Sequence, residues 1–194
     1  FLLRQILYLM KITVPDSLAD LTVEQYKLLA EIKFEENSTE WLIESIGIMC
    51  SLTKAEADQL TLPEVERIAI IVSKLNDEDE NDQELQRKIE YKGKRYGFHP
   101  NLSKLTVGEF ADLETYCGGG FLKNLSEILC ILYRPIKSEG GDFYTIEKYE
   151  GETFPNFWDS LRMDVVLGAV NFFLSIGVTL TRGLANSLPE EEGT

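Results

Sequence analysis

Apolar residues between Leu21 and Leu75 recur at helical spacing: Val23, Tyr26, Leu29 and Ala30, then Trp41, Leu42, Ile46 and Met49, then Val65, Ile68, Ala69, Ile71 and Val72. Steps of three and four residues put each set on one helix face. The pattern predicts helices over 22–33, 39–50, 53–59 and 61–75, packed as an antiparallel cluster with short connections. After residue 84 the period shortens. Leu85 to Tyr91 and Arg95 to Phe98 flank Lys92-Gly93-Lys94, a hairpin signal in which glycine supplies a positive φ. Helical spacing returns over 106–116, where Val107, Phe110, Ala111 and Leu113 are available to a core. Leu122 to Tyr133 is apolar most of the way round, which marks a central helix ended by Arg134-Pro135. The last helix is expected to start near Met163, with Asp164 as its cap, and to pass Leu180. Gly168 and Gly177 on it would admit a neighbouring helix.

Strand signals are few: Lys11 to Val14, closed by Pro15, the hairpin around Gly93, and the alternating run Phe143 to Tyr149. The expected fold class is α+β and mainly α-helical, a helical bundle with a small β-hairpin and strand component. Residues 1–9 read as an upstream or non-native extension, because Met10 is followed at once by the first strand. Residues 10–188 read as a single domain with a helical N-terminal part over 21–75, an acidic loop over 76–84 and a C-terminal part over 85–188. Residues 189–194 form an acidic tail.

One local device recurs. Thr22 precedes Gln25, and Thr53, Thr61 and Thr106 precede Glu56, Glu64 and Glu109, each at a spacing of three. A threonine there caps a helix while the acid or amide reaches back to the cap, and the preceding leucine can staple onto the fourth helical residue.

Charge narrows the partners. The 194 residues hold 33 Asp plus Glu against 19 Lys plus Arg, a net charge of -14. Nucleic acid and anionic membranes attract clustered basic surface, so neither is an expected partner. No apolar run reaches the length of about 18 residues that a spanning helix needs. Cys50, Cys117 and Cys130 lie in apolar or helical contexts and read as buried thiols in a reducing compartment.

Catalytic and cofactor signatures do not assemble. The sole histidine, His99, sits beside Pro100 at a strand exit with no second ligand at metal-binding spacing. Asp77, Asp79 and Asn81 begin like a calcium loop, but Asp82 stands where glycine is needed and Lys88 where a bidentate glutamate belongs. Gly118-Gly119-Gly120 lacks the Gly-Lys-Ser/Thr end of a phosphate loop and reads as a helix cap and turn. No cofactor or metal is expected, and the chain is expected not to be an enzyme. Trp41, Phe154, Phe157 and Trp158 are large rings near loops. They are candidate protein-interface residues, or else core.

The order KITVPDSLADLTVEQYKLL, YGFHPNLSKLTVGEFADLETY, LSEILCILYRPI and RMDVVLGAVNFFLSIG resembles small acidic proteins of tailed bacteriophages, including crAss-like and related phages of Bacteroidetes. The resemblance covers about Met10 to Leu180, and its most specific parts, GEFADLETY, ILYRPI and Asp164 to Phe173, are packing motifs. It implies a virion morphogenesis protein, tail assembly chaperone-like, that binds another phage structural protein of the tail or connector. The alternative it implies is a minor virion component near the neck or inside the particle. Homo-oligomerisation is compatible with either, and the implied location is the host cytoplasm during assembly or the virion.

Overall fold

In the computed structural model, which describes residues 12–36, 38–73, 83–141 and 143–187 (backbone alone beyond 175), the four threonine motifs each open a helix. These are α1 (Val23–Ala30), α3 (Lys54–Ala57), α4 (Leu62–Ser73) and α5 (Val107–Gly118). Thr22, Thr53 and Thr106 form reciprocal capping boxes with Gln25, Glu56 and Glu109. At α4 the Thr61 N–H donates to Glu64 Oε2 at 2.8 Å. Helix α2 (Thr39–Met49) is capped instead by Ser38, whose hydroxyl accepts from the Trp41 N–H.

Gln25 does more than cap. Its carbonyl oxygen accepts from the Thr22 N–H at 2.9 Å, while Nε2 donates to the Ile48 and Met49 carbonyls at 3.0 Å each. One side chain therefore satisfies orphan groups at the start of α1 and the end of α2. Ile46, Cys50 and Ile68 form the centre of the helical cluster, with Ile12 and Val14 laid against it. The expected strand at 11–14 does not form over the described residues 12–14. Those residues are used as packing and not as a ladder.

The C-terminal half is built on a four-stranded antiparallel sheet, ordered β1 (Lys88–Tyr91), β2 (Lys94–Phe98), β3 (Tyr133–Gly140) and β4 (Phe143–Ile146). Lys92 and Gly93 turn β1 into β2 with φ of 48° and 72°, the positive pair of a type I′ hairpin. The run 143–149 does supply the expected edge strand, as β4. Strand β3 was not expected. The helix predicted over 122–133 is shorter, α6 (Leu125–Leu132), and the chain passes from it into β3 at Tyr133 without a loop.

Leu125, Ile128, Leu129, Ile131 and Leu132 of α6 are all buried, which bears out its central place. They share one core with Phe98, Tyr133, Trp158 and the first two turns of α7 (Met163–Ser187). Asp164 lies inside the first turn of α7, paired with Arg162, and is not its cap. A Cβ at Gly168 would meet the Glu84 carbonyl at 2.3 Å, so this glycine admits the irregular segment leading into β1 and not another helix. Reciprocal backbone bonds join α1 to α7: Val23 N–H donates to Leu161 O, and Met163 N–H to Leu21 O, both at 2.9 Å.

Helix α5 faces differently from its expected phase. Of its four expected core residues Leu113 is buried, but Val107 is 87% and Phe110 59% exposed and Ala111 is exposed too, while Glu109 is buried. A capping carboxylate occupies the inward position because a buried cation awaits it there. The upstream extension, most of the acidic loop with its calcium-like spacing, Gly177's side and the acidic tail lie outside the described residues or side chains.

Candidate protein-binding groove

The β2–β3 ladder ends at the pair Tyr96 and Pro135, where proline has no N–H to continue it. Beyond that point β3 shifts register between Ile136 and Ser138 and pairs with β4. A half-open groove of about 680 Å³ runs alongside, between these strands and the segment 147–158. Tyr96, Pro135, Phe157 and Trp158 contribute to its lining, with Cys130 of α6 and Phe154 among them.

Three of the four rings singled out in the sequence meet here. Phe157 stands edge-on to Trp158 at 4.9 Å between ring centres and lies 6.4 Å from Phe154. Their exposures differ in kind. Trp158 is 1% exposed, stacked at 4.8 Å on Tyr91, and its backbone N–H donates to the buried Ser126 hydroxyl. It is a core residue, so its candidacy as a surface ring is corrected. Phe157 is half-buried, and Phe154 is 56% exposed. Trp41 lies on α2, half-buried, and is not part of the groove.

Phe157 is held by more than packing. Its carbonyl accepts from Tyr91 Oη at 2.7 Å and Lys92 Nζ at 2.9 Å, and that ammonium lies 4.8 Å from the ring centre. The β1–β2 hairpin turn thus positions the groove floor. Tyr96, Lys94 and Lys137 were not singled out as site residues in the sequence, and Cys130 was read only as a buried thiol. The alternation of β2, which puts Lys94, Tyr96 and Phe98 on one face, was the signal that could have found two of them.

Burial pushes the Tyr96 hydroxyl and the Cys130 thiol above their ordinary ranges, and the Cys50 thiol up to about 11. These groups are neutral at pH 7, so the groove offers rings and weak hydrogen-bonding groups and no ready thiolate.

A second polar cluster lies at the start of β3. Glu109 Oε1 is 2.7 Å from Arg134 Nη1 and 4.0 Å from His99 Nε2, all three side chains buried. The Asn101 N–H donates to His99 Nδ1 at 3.3 Å, which leaves the imidazole proton on Nε2, towards the carboxylate. His99 therefore has the structural setting its sequence position implied, with a carboxylate neighbour that spacing did not reveal. Among the described residues no group of three metal-ligating side chains gathers, and no helix is long and apolar enough to cross a membrane.

No protein-family model, curated protein or solved structure matches this chain.

Proposed function

We propose that this protein acts by binding, as a tail assembly chaperone-like factor that holds another structural protein of a tailed phage during virion construction. The phage assignment rests on the sequence resemblance. The binding reading rests on one observation: Phe154, more than half exposed, lines a groove together with Phe157 and Trp158, rings that neighbouring elements hold in place. Aromatic side chains presented on a fixed scaffold are what interface centres are enriched in. Binding rather than turnover is the reading that uses these features.

Co-expression with the tail and connector proteins of the same phage tests it. The expected result is a stable complex with one of them that Phe154→Ala weakens at least tenfold without lowering the melting temperature of the free protein. Purified particles should lack the protein. No complex with any of those proteins, together with stoichiometric presence in particles, would overturn the chaperone reading in favour of a virion component.

A further inference from the structure

Between the end of β4 and Trp158 the chain crosses the molecule outside any ladder or helix. The Glu147 N–H donates to the Pro135 carbonyl of β3 at 3.0 Å, and the next backbone bond is a turn, from the Phe157 N–H to the Phe154 carbonyl at 3.1 Å. Among the described residues no backbone group from 148 to 153 pairs with another. Both ends are nevertheless fixed, since Glu147 is tied to β3 and the buried Trp158 donates its N–H to the Ser126 hydroxyl of α6 at 3.0 Å.

What lies between is held by side chains. Of residues 148–156 only Tyr149 and Thr153 are half-buried, and the others are exposed. Tyr149, whose ring packs on the core, donates from Oη to Asp112 Oδ2 at 2.7 Å, and Thr153 Oγ1 shares a hydrogen with Tyr116 Oη at 3.0 Å. Asp112 and Tyr116 are one turn apart on α5, so both bonds close onto the same face of one helix. The remaining polar contacts are weaker: Lys27 Nζ reaches the Pro155 carbonyl at 3.5 Å, and the Cys130 thiol lies 4.0 Å from the Phe154 carbonyl. Gly151, midway, holds a φ of 80° with open space where a Cβ would stand. A segment with an unpaired, exposed backbone and few buried contacts opens at a lower free energy than the fold as a whole.

From this geometry we infer that residues 148–156 are a strap that opens as a unit, latched to α5 by Tyr149 and Asp112, while the sheet and the helices beneath it stay closed. The bond from Tyr149 is the stronger of the two latches, because its acceptor is a carboxylate. The strap forms one side of the groove, so its release widens the groove towards α6 and uncovers the Cys130 thiol. Phe154 travels with the strap, whereas Phe157 stays behind on its bonds from Tyr91 and Lys92. The inference stands on these contacts alone and is independent of the binding role proposed above.

The test is the rate at which N-ethylmaleimide modifies each cysteine of the full chain under native conditions, read by peptide mass mapping. Cys130 reports opening of the strap, Cys117 reports movement of α5, and Cys50, at the centre of the N-terminal helical cluster, reports wider unfolding. Tyr149→Phe and Asp112→Ala are each expected to speed modification of Cys130 about tenfold and to leave Cys50 and Cys117 within about twofold of the parent. Because both substitutions remove the same hydrogen bond, the double variant should be no faster than either single one. Asp112→Asn, which keeps an acceptor oxygen, should stay within about threefold of the parent. Gly151→Ala, which strains the positive φ without a clash, should give the same selective acceleration, about threefold. A Cys130 rate unmoved by Tyr149→Phe, acceleration of all three thiols together, or effects that multiply in the double variant would overturn the inference.

Discussion

Glu109 and Arg134 form an ion pair of 2.7 Å with side chains only 4% and 9% exposed, which fastens the first turn of α5 to the start of β3. The second oxygen of Glu109 accepts from the Thr106 N–H at 2.6 Å, so one carboxylate caps a helix and neutralises a buried cation. Removing one partner of such a pair leaves a charge uncompensated, at a cost of about 3–5 kcal/mol. Glu109→Gln is therefore expected to lower stability by about 3 kcal/mol or more in urea unfolding. Replacing both residues by leucine should recover part of the loss. A midpoint unmoved by Glu109→Gln would show that the pair contributes nothing.

Acid should weaken the fold in two steps. Burial, reinforced by the Arg134 charge, holds His99 below its ordinary value of 6.5 although Glu109 pulls the other way. The unfolded chain then takes up a proton at His99 before the folded one does. That contribution is complete above pH 6.5 and is lost as pH falls towards the depressed folded value. Burial raises the Glu109 carboxyl, but hydrogen bonds from Thr106, then Arg134 and His99, outweigh it and hold it below 4.5. Its contribution is present above 4.5 and lost below. In a stability profile from pH 7 to pH 3, His99→Gln should flatten the upper limb and keep the lower one. A profile already flat in the unsubstituted protein between 6.5 and 5 contradicts the assignment of His99.

Gln25 offers a sharper local test. Gln25→Glu keeps an oxygen for the Thr22 cap but puts a carboxylate against the Ile48 and Met49 carbonyls at the negative end of α2. It is expected to destabilise by about 1–3 kcal/mol, the cost of unsatisfied buried groups. Thr22→Ala, which removes the cap alone, should cost about 0.5–2 kcal/mol. Thermal unfolding of the two variants side by side decides whether the bridge to α2 matters beyond the cap.

The two large rings Phe110 and Trp158 should behave oppositely to their prominence in the sequence. Phe110 is mostly solvent-exposed, so Phe110→Ala is expected within about 0.5 kcal/mol of the parent. Trp158→Ala empties the centre of an aromatic cluster and should cost about 3–5 kcal/mol. Denaturation midpoints in the reverse order would mean that α5 packs by its other face.

What was legible in the chain was local. Thr22, Thr53, Thr61 and Thr106 mark helix starts because a cap and its partner lie three residues apart, within reach of a pattern search. The Lys92-Gly93 turn was legible for the same reason. The passage from α6 to β3 was not, because the apolar run stops at Tyr133 and the strand YRPIKSEG that follows carries no apolar alternation for a pattern search to find. Pro135, read as a helix stop, instead sits in a strand at the place where its missing N–H ends one ladder. The phase of α5 was hidden too, since a glutamate turns inward only if its cation lies there, and Arg134 belongs to another element. The groove required the same long-range information. Phe154 and Phe157 were visible as rings, but Tyr96, Lys94 and Lys137 join them through the pairing of β2 with β3, and Cys130 through the placement of α6.

Hydrogen–deuterium exchange on the protein alone and in complex with the phage structural protein proposed above as its partner tests the binding claim most directly. New protection is expected over residues 94–96, 135–137 and 147–157, the strands and segment that enclose the groove, and Phe154→Ala should abolish it at concentrations that saturate the parent. Protection confined to other exposed apolar positions, such as Leu62 and Ile70 on α4 or Val107 and Phe110 on α5, with the groove unprotected, would contradict the account.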